Sequence, residues 1–195
     1  MEGIIMSLQN NGSMATAVAE LPALKQAGLV LVASWLLAAS SWVSVPMVPV
    51  PMTMQTLAVC LVGAMMGPRL GTLAVLAWFG QAVIGLPLLA GGSGGAAPFF
   101  GPTAGYLVAF PIAAGLTGVL VSRGWDGQRP VRLFIAMLIA NGLCLALGGA
   151  WLARLIGPDA ALATGVLPFI LGGILKSALG AAMLAAAARW QRPRA

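Results

Sequence analysis

The sequence predicts an all-α, polytopic integral membrane protein: a single compact bundle of six transmembrane helices with both termini on the cytoplasmic side. Three observations carry this. Hydrophobic residues make up 60% of the 195 positions and charged residues 7%, against roughly a quarter charged in an ordinary soluble domain, so a water-facing surface could not be covered with polar groups. The apolar residues fall into six runs separated by short breaks containing proline, glycine or arginine. With the N-terminus inside, Lys25, Arg69, Arg123, Arg129, Arg132, Arg189, Arg192 and Arg194 all fall on the cytoplasmic side, while Arg154 lies outside and Lys176 lies within the last run. An odd number of spans would destroy that positive-inside bias.

Residues 1–23 read as a flexible cytoplasmic tail, 24–188 as the membrane domain and 189–195 as a basic cytoplasmic tail. The first span runs from about Lys25 to Val45 and is ended by Pro46, Pro49 and Pro51. Further apolar spans follow it, which a cleaved signal peptide would lack. The second, 53–66, is short: its fourteen residues reach about 21 Å, against about 30 Å of hydrocarbon. It needs shielding by neighbouring helices, or extended structure entering the membrane before it. The third span, 70–86, follows a tight GPRLG turn. The fourth covers 103–121, the fifth 131–153 and the sixth 168–188, with Pro168 placed at a helix N1 position where its missing N–H is not needed.

Composition also removes whole classes of function. The basic residues stand singly or in small groups between apolar runs, so no basic face for nucleic acid forms. The glycine run at 91–95 has no GlyLysSer or GlyLysThr after it and does not make a phosphate loop. The uncharged connections 46–52 and 87–102 fall on the outer side; the second reads either as a flexible loop or as a lid or lining over an outward-facing cavity. There is no histidine and no acid within a span, so metal sites and hydrolytic or redox catalysis lack parts. No enzyme activity and no cofactor are expected. Cys60 and Cys144 read as small buried residues, Trp42, Trp125, Trp151 and Trp190 as interfacial anchors, and Trp35 and Trp78 as packing.

Lys176 is the most informative residue. It lies eight residues after Pro168, about 12 Å along the sixth helix, where a lysine costs about 2.5 to 3.5 kcal/mol unless something offsets it. No acid lies within the spans, and only Asp159 is on the matching side. Snorkelling, deprotonation, a partner subunit or the carboxylate of a ligand all remain open. Gly172, Gly173 and Gly180 at i−4, i−3 and i+4 predict a bare face around the lysine. Thr53, Gln55, Tyr106 and Asn141 are the polar residues placed to line the same cavity. Each has a structural alternative: capping for Thr53 and Gln55, an interfacial belt for Tyr106, helix-to-helix bonding for Asn141.

The runs VPMVPVPMTMQTL (45–57), MGPRLG (66–71), GQAVIGLPLLAGG (80–92), FFGPTAGY (99–106) and LPFILGGILK (167–176) resemble the BioY family, the biotin-specific membrane subunits of energy-coupling-factor (ECF) vitamin transporters. The resemblance spans about residues 24–188. It implies a six-helix substrate-capture (S) subunit in the inner membrane, surrounded by lipid. Such a subunit holds biotin in an outward-facing pocket and works with a transmembrane coupling subunit and two ATP-binding subunits; some members are thought to act without a dedicated module. It carries the lysine over as Lys176, a partner for the biotin carboxylate. The family commonly has an aspartate three residues earlier, and here that position is Gly173. The resemblance therefore implies a biotin site weakened by about tenfold to a few hundredfold, unless Asn141, Gln55 or a backbone carbonyl replaces the acceptor. A transporter of another carboxylate-bearing vitamin, or a non-transporting assembly subunit, stays open as an alternative.

Overall fold

A computed structural model describes residues 14–190. In chain order it contains α1 (Met14–Ala19), α2 (Ala23–Trp42), the two-residue strands β1 (Ser44–Val45) and β2 (Met52–Thr53), and α3 (Gln55–Val83). Single 3₁₀ turns at Ala90–Gly92 and Ala97–Phe99 lead into α4 (Ala104–Ser122) and α5 (Pro130–Ile156). The short α6 (Pro158–Ala161) passes through a wide π turn, Leu162–Val166, into α7 (Leu167–Trp190). Five helical stretches are long and apolar enough to cross a membrane: α2, α3, α4, α5 and the run Pro158–Trp190.

α3 is not one rod. Gly67 has φ 77° and ψ 176°, a conformation open to glycine and strained for other residues, and Pro68 follows with its fixed φ, suited to starting a new helix. A Cβ placed on Gly71 would lie 2.8 Å from the Cα of Gly63, whereas eight residues of unbroken helix advance about 12 Å. The chain therefore folds back at 67–68, and the expected second and third spans are the two limbs of α3, 55–66 and 68–83. The short first limb is buried at Leu57, Ala58, Val59, Cys60, Val62 and Ala64, so neighbouring helices shield it. Ahead of it stands the antiparallel β1–β2 ladder pairing Ser44 with Thr53 and Val45 with Met52.

The bundle is sealed by backbone-to-backbone approaches that only small residues permit, as expected where no water drives helices together. α4 lies on the corner of α3: a Cβ on Gly118 would meet Pro68 N at 2.5 Å. Outside, Val32, Trp35 and Leu36 on α2 and Leu167, Leu171, Leu175 and Leu179 on α7 are exposed, an apolar surface far too extensive for water. Trp35, expected to pack, faces outward, whereas Trp78 is fully buried.

Two expectations are corrected. The flexible tail does not extend to residue 23: residues 14–19 are helical, with Ala15 and Ala17 buried where this helix packs on α3 and Ala15 set beside Gly67. Residues 1–13 and 191–195 lie outside the described residues. Pro168 is not at a free helix start either; it is the second residue of α7, and a helical run leads into it from Pro158. A proline inside a helix denies a hydrogen bond to the carbonyl four residues earlier, here Thr164, and the wide turn at 162–166 absorbs the mismatch.

Gly118→Val is expected to prevent α4 from seating on the 67–68 corner, at a cost of about 1 to 3 kcal/mol. Thermal unfolding in detergent checks this, and an unchanged midpoint would contradict the close approach.

Candidate functional site

The β1–β2 hairpin, the start of α3, the 85–103 connection, α4, α5 and α7 enclose a cavity of about 140 Å³. Of the polar and small residues singled out from the sequence, Thr53, Gln55, Tyr106, Asn141, Gly173 and Lys176 line it, and Gly172 and Gly180 do not. Apolar walls come from Leu89, Leu107, Phe110, Leu145 and Phe169.

Lys176 is half-buried, and its Nζ donates to Thr53 O at 3.0 Å. Among the described residues it meets no carboxylate: Asp159 is exposed and lies outside the cavity lining. One carbonyl takes one of the three ammonium protons, so the cation keeps donors for something else in the cavity. Thr53 and Gln55 line the cavity and bond to one another, but neither caps α3, whose N-cap residue is Met54 with no side-chain cap bond. Gln55 N donates to Thr53 Oγ1 at 3.3 Å, Thr53 Oγ1 donates to Gln55 Oε1 at 2.9 Å, and Gln55 Nε2 donates to Ser41 Oγ at 2.8 Å.

Asn141 is 4% exposed, and its neighbours settle which way its amide points. Ser177 gives its only proton to Gly173 O at 2.8 Å, so toward Asn141 it can only accept, as can Met137 O. Asn141 Nδ2 donates to both, at 3.1 and 3.0 Å. Both amide protons are thereby engaged, and Oδ1, which accepts nothing among the described residues, is left as the acceptor for the cavity. Helix-to-helix bonding and cavity lining are thus the same arrangement.

Tyr106 acts differently from a free hydroxyl. Its OH donates to Gly165 O at 2.6 Å, its ring packs on Gly148, and Phe169 lies beside it with ring centroids 6.2 Å apart. It is a wall that ties α4 to the wide turn before α7. The bare face expected on α7 is also only partly there. A Cβ on Gly180 would meet Met137 Sδ at 2.7 Å and one on Gly172 would meet Met52 Sδ at 3.1 Å, so methionines fill those two positions. At Gly173 a Cβ would meet only Asn141 Cβ, at 3.8 Å, and the open space belongs to this glycine.

The 85–103 connection is bonded to the bundle. Trp78 Nε1 donates to Leu88 O at 3.0 Å, Gly95 N to Ala82 O at 2.8 Å and Trp151 Nε1 to Gly101 O at 2.9 Å. Leu89, Ala90, Ser93 and Pro98 from this segment line the cavity, so the lining reading describes it better than the free-loop reading. Sequence reasoning missed Thr56, whose Oγ1 is buried at the cavity without a partner, and Ser177 and Ser41, which hold Asn141 and Gln55. Their only signal was adjacency to Gln55 and Lys176, or, for Ser41, none.

The BioY family model matches residues 10–193. The chain belongs to the BioY family. A Pyrococcus horikoshii protein described as a probable biotin transporter is 38% identical over 79% of this chain and 90% of its own length. The biotin transporter of Rhodobacter capsulatus is 41% identical over 68% of this chain and 77% of that protein. The crystal structure of the S-component for biotin from an ECF-type ABC transporter superposes with a TM-score of 0.73 at 26% identity, covering 85% of this chain and 92% of that one. The fold is therefore that of a multi-pass membrane S-component, and its family is one of transporters.

Within this BioY chain, Tyr106→Phe is expected to orphan the Gly165 carbonyl and lower stability by about 1 to 3 kcal/mol. Detergent melts of the purified variant measure it, and a loss under about 0.5 kcal/mol would show that the bond is replaceable.

Proposed function

We propose that this chain captures biotin from the outer side of the inner membrane and delivers it across, as the S subunit of an ECF-type transporter. The observation that carries this is Lys176: a membrane-embedded ammonium without a carboxylate partner among the described residues, in the same cavity as the fixed acceptor Asn141 Oδ1. Biotin has complementary parts: a charged carboxylate, an apolar bicycle and tail, and ureido N–H groups that need an acceptor. Lys176 takes the carboxylate, the strongest acceptor on the molecule. The phenylalanine and leucine walls cover the apolar middle, and Asn141 Oδ1 serves the ureido end. The naming of the relatives as biotin transporters supports this assignment.

Six spans follow when the two limbs of α3 are counted separately. Both termini then share a side with Arg69, Arg123, Arg129 and Arg132, which the positive-inside rule makes cytoplasmic. The cavity mouth, with the 85–103 connection, faces the opposite side. Energy for transport comes from a coupling subunit and two ATP-binding subunits, for which the exposed face of α2 and the small-residue faces are the docking surfaces.

Titration of the purified chain with biotin tests the reading. Submicromolar binding is expected, weakened by about tenfold to a hundredfold in Lys176→Met, the loss of a charge-assisted bond. The neutral biotin amide should bind the native chain about as weakly as biotin binds the variant. An amide that binds as well as biotin would move Lys176 to another oxygen of the ligand, and normal binding by Lys176→Met would remove it from the site. Gly173→Asp, for which there is room at Cβ, is expected to tighten biotin by about fivefold to fiftyfold through an added ureido acceptor; weaker binding would mean that the new carboxylate pairs with Lys176 instead.

A further inference from the structure

We propose that Ser41, which does not line the cavity, is a positioning residue that sets where the Lys176 ammonium stands, acting through Gln55 and Thr53. The inference rests on the reading of Lys176 as a ligand contact. Ser41 is fully buried on α2, and its hydroxyl proton goes to Leu37 O at 3.1 Å. Toward Gln55 it can therefore only accept, which forces the Nε2 end of the Gln55 amide onto Ser41 at 2.8 Å. The Oε1 end is then turned to Thr53, whose Oγ1 donates to it at 2.9 Å and accepts Gln55 N at 3.3 Å. Each bond has one permitted direction, so the Thr53 peptide is held in one orientation. Its carbonyl receives Lys176 Nζ.

A buried serine bonded to the carbonyl four residues back is ordinarily a packing feature of a helix. α2 supplies the comparison. Ser34, two turns earlier on the same helix, accepts from Gln81 Nε2 at 2.9 Å, and neither Ser34 nor Gln81 lines the cavity. The two Ser–Gln bonds have the same chemistry, but only that of Ser41 continues toward Lys176. The hairpin itself has other support, since Met54 N donates to Val43 O at 3.0 Å and β1 pairs with β2. Removing the Ser41 hydroxyl frees the Gln55 amide without dismantling the hairpin.

A double-mutant cycle on the full chain, read by biotin titration, tests this. Ser41→Ala is expected to weaken binding by about threefold to tenfold in the native background, the effect of one lost hydrogen bond. In the Lys176→Met background the same change should alter affinity by no more than about twofold, because the group it positions is gone. Ser34→Ala should leave affinity within about twofold in both backgrounds. No effect of Ser41→Ala, an equal effect in both backgrounds, or an equal effect of Ser34→Ala overturns the proposal. Should Ser41→Ala fail to fold, Ser41→Cys keeps the volume while weakening the acceptor, and the same cycle applies; additivity there is equally fatal. Lys176→Met with undiminished biotin binding would instead sink the functional reading on which the inference stands.

Discussion

The arrangement around the cavity depends on a single cation held in a low-dielectric bundle without a carboxylate to answer it. Placed in lipid, an ammonium must find oxygen, and within the described residues Lys176 finds one backbone carbonyl, that of Thr53. A carbonyl can serve only if its strand stays put. The β1–β2 ladder, the Gln55 N–Thr53 Oγ1 bond and the Gln55–Ser41 bond all bear on the strand that carries this carbonyl. The hairpin between α2 and α3 lines the cavity, a setting in which non-helical backbone is tolerated in a membrane protein.

Packing supplies the rest of the constraint. The corner at Gly67–Pro68 turns one apolar stretch into two limbs, and α4 can lie against that corner only because residue 118 has no side chain. The same device recurs where it shapes the cavity: Gly148 admits the Tyr106 ring, and Tyr106 then reaches Gly165 O. That carbonyl lies in the turn just before Pro168, where the regular helical ladder is interrupted, so a backbone irregularity in one helix becomes the anchor for a wall contributed by another.

Much of this was legible in the sequence, for identifiable reasons. Apolar run lengths and arginine placement speak directly to membrane spans, and the GPRLG turn marked the corner of α3. Lys176 stood out because charge inside a span is rare, and Asn141 because an amide there needs partners. What escaped were properties of contacts between distant segments. Nothing in the residues around Gly180 and Gly172 announces that Met137 and Met52 fill the space beside them. The helical run ahead of Pro168 overrode its N1 preference, and residues 14–19 joined the structure by packing on α3, with Ala15 beside Gly67. Serines 41 and 177 are silent in sequence because a serine in a helix usually bonds its own backbone, and these two do so as well. Their second bonds connect them to the site.

Gly173 changes the electrical character of the cavity as well as its inventory of acceptors. A carboxylate three residues before Lys176 would share a helix face with it and would neutralise the pair, so that a ligand would meet a site of no net charge. With glycine there, the proposed reading leaves Asn141 as a neutral acceptor and the ammonium without a carboxylate among the described residues. Under the proposed reading, the ligand's own carboxylate completes the ion pair. Attraction between unit charges grows steeply as the surroundings become less polar, so what is lost in hydrogen bonding at the ureido end is offset in part by a stronger demand for charge at the other. On that reading the cavity would discriminate first by the presence of an anion and only second by the shape of the ring.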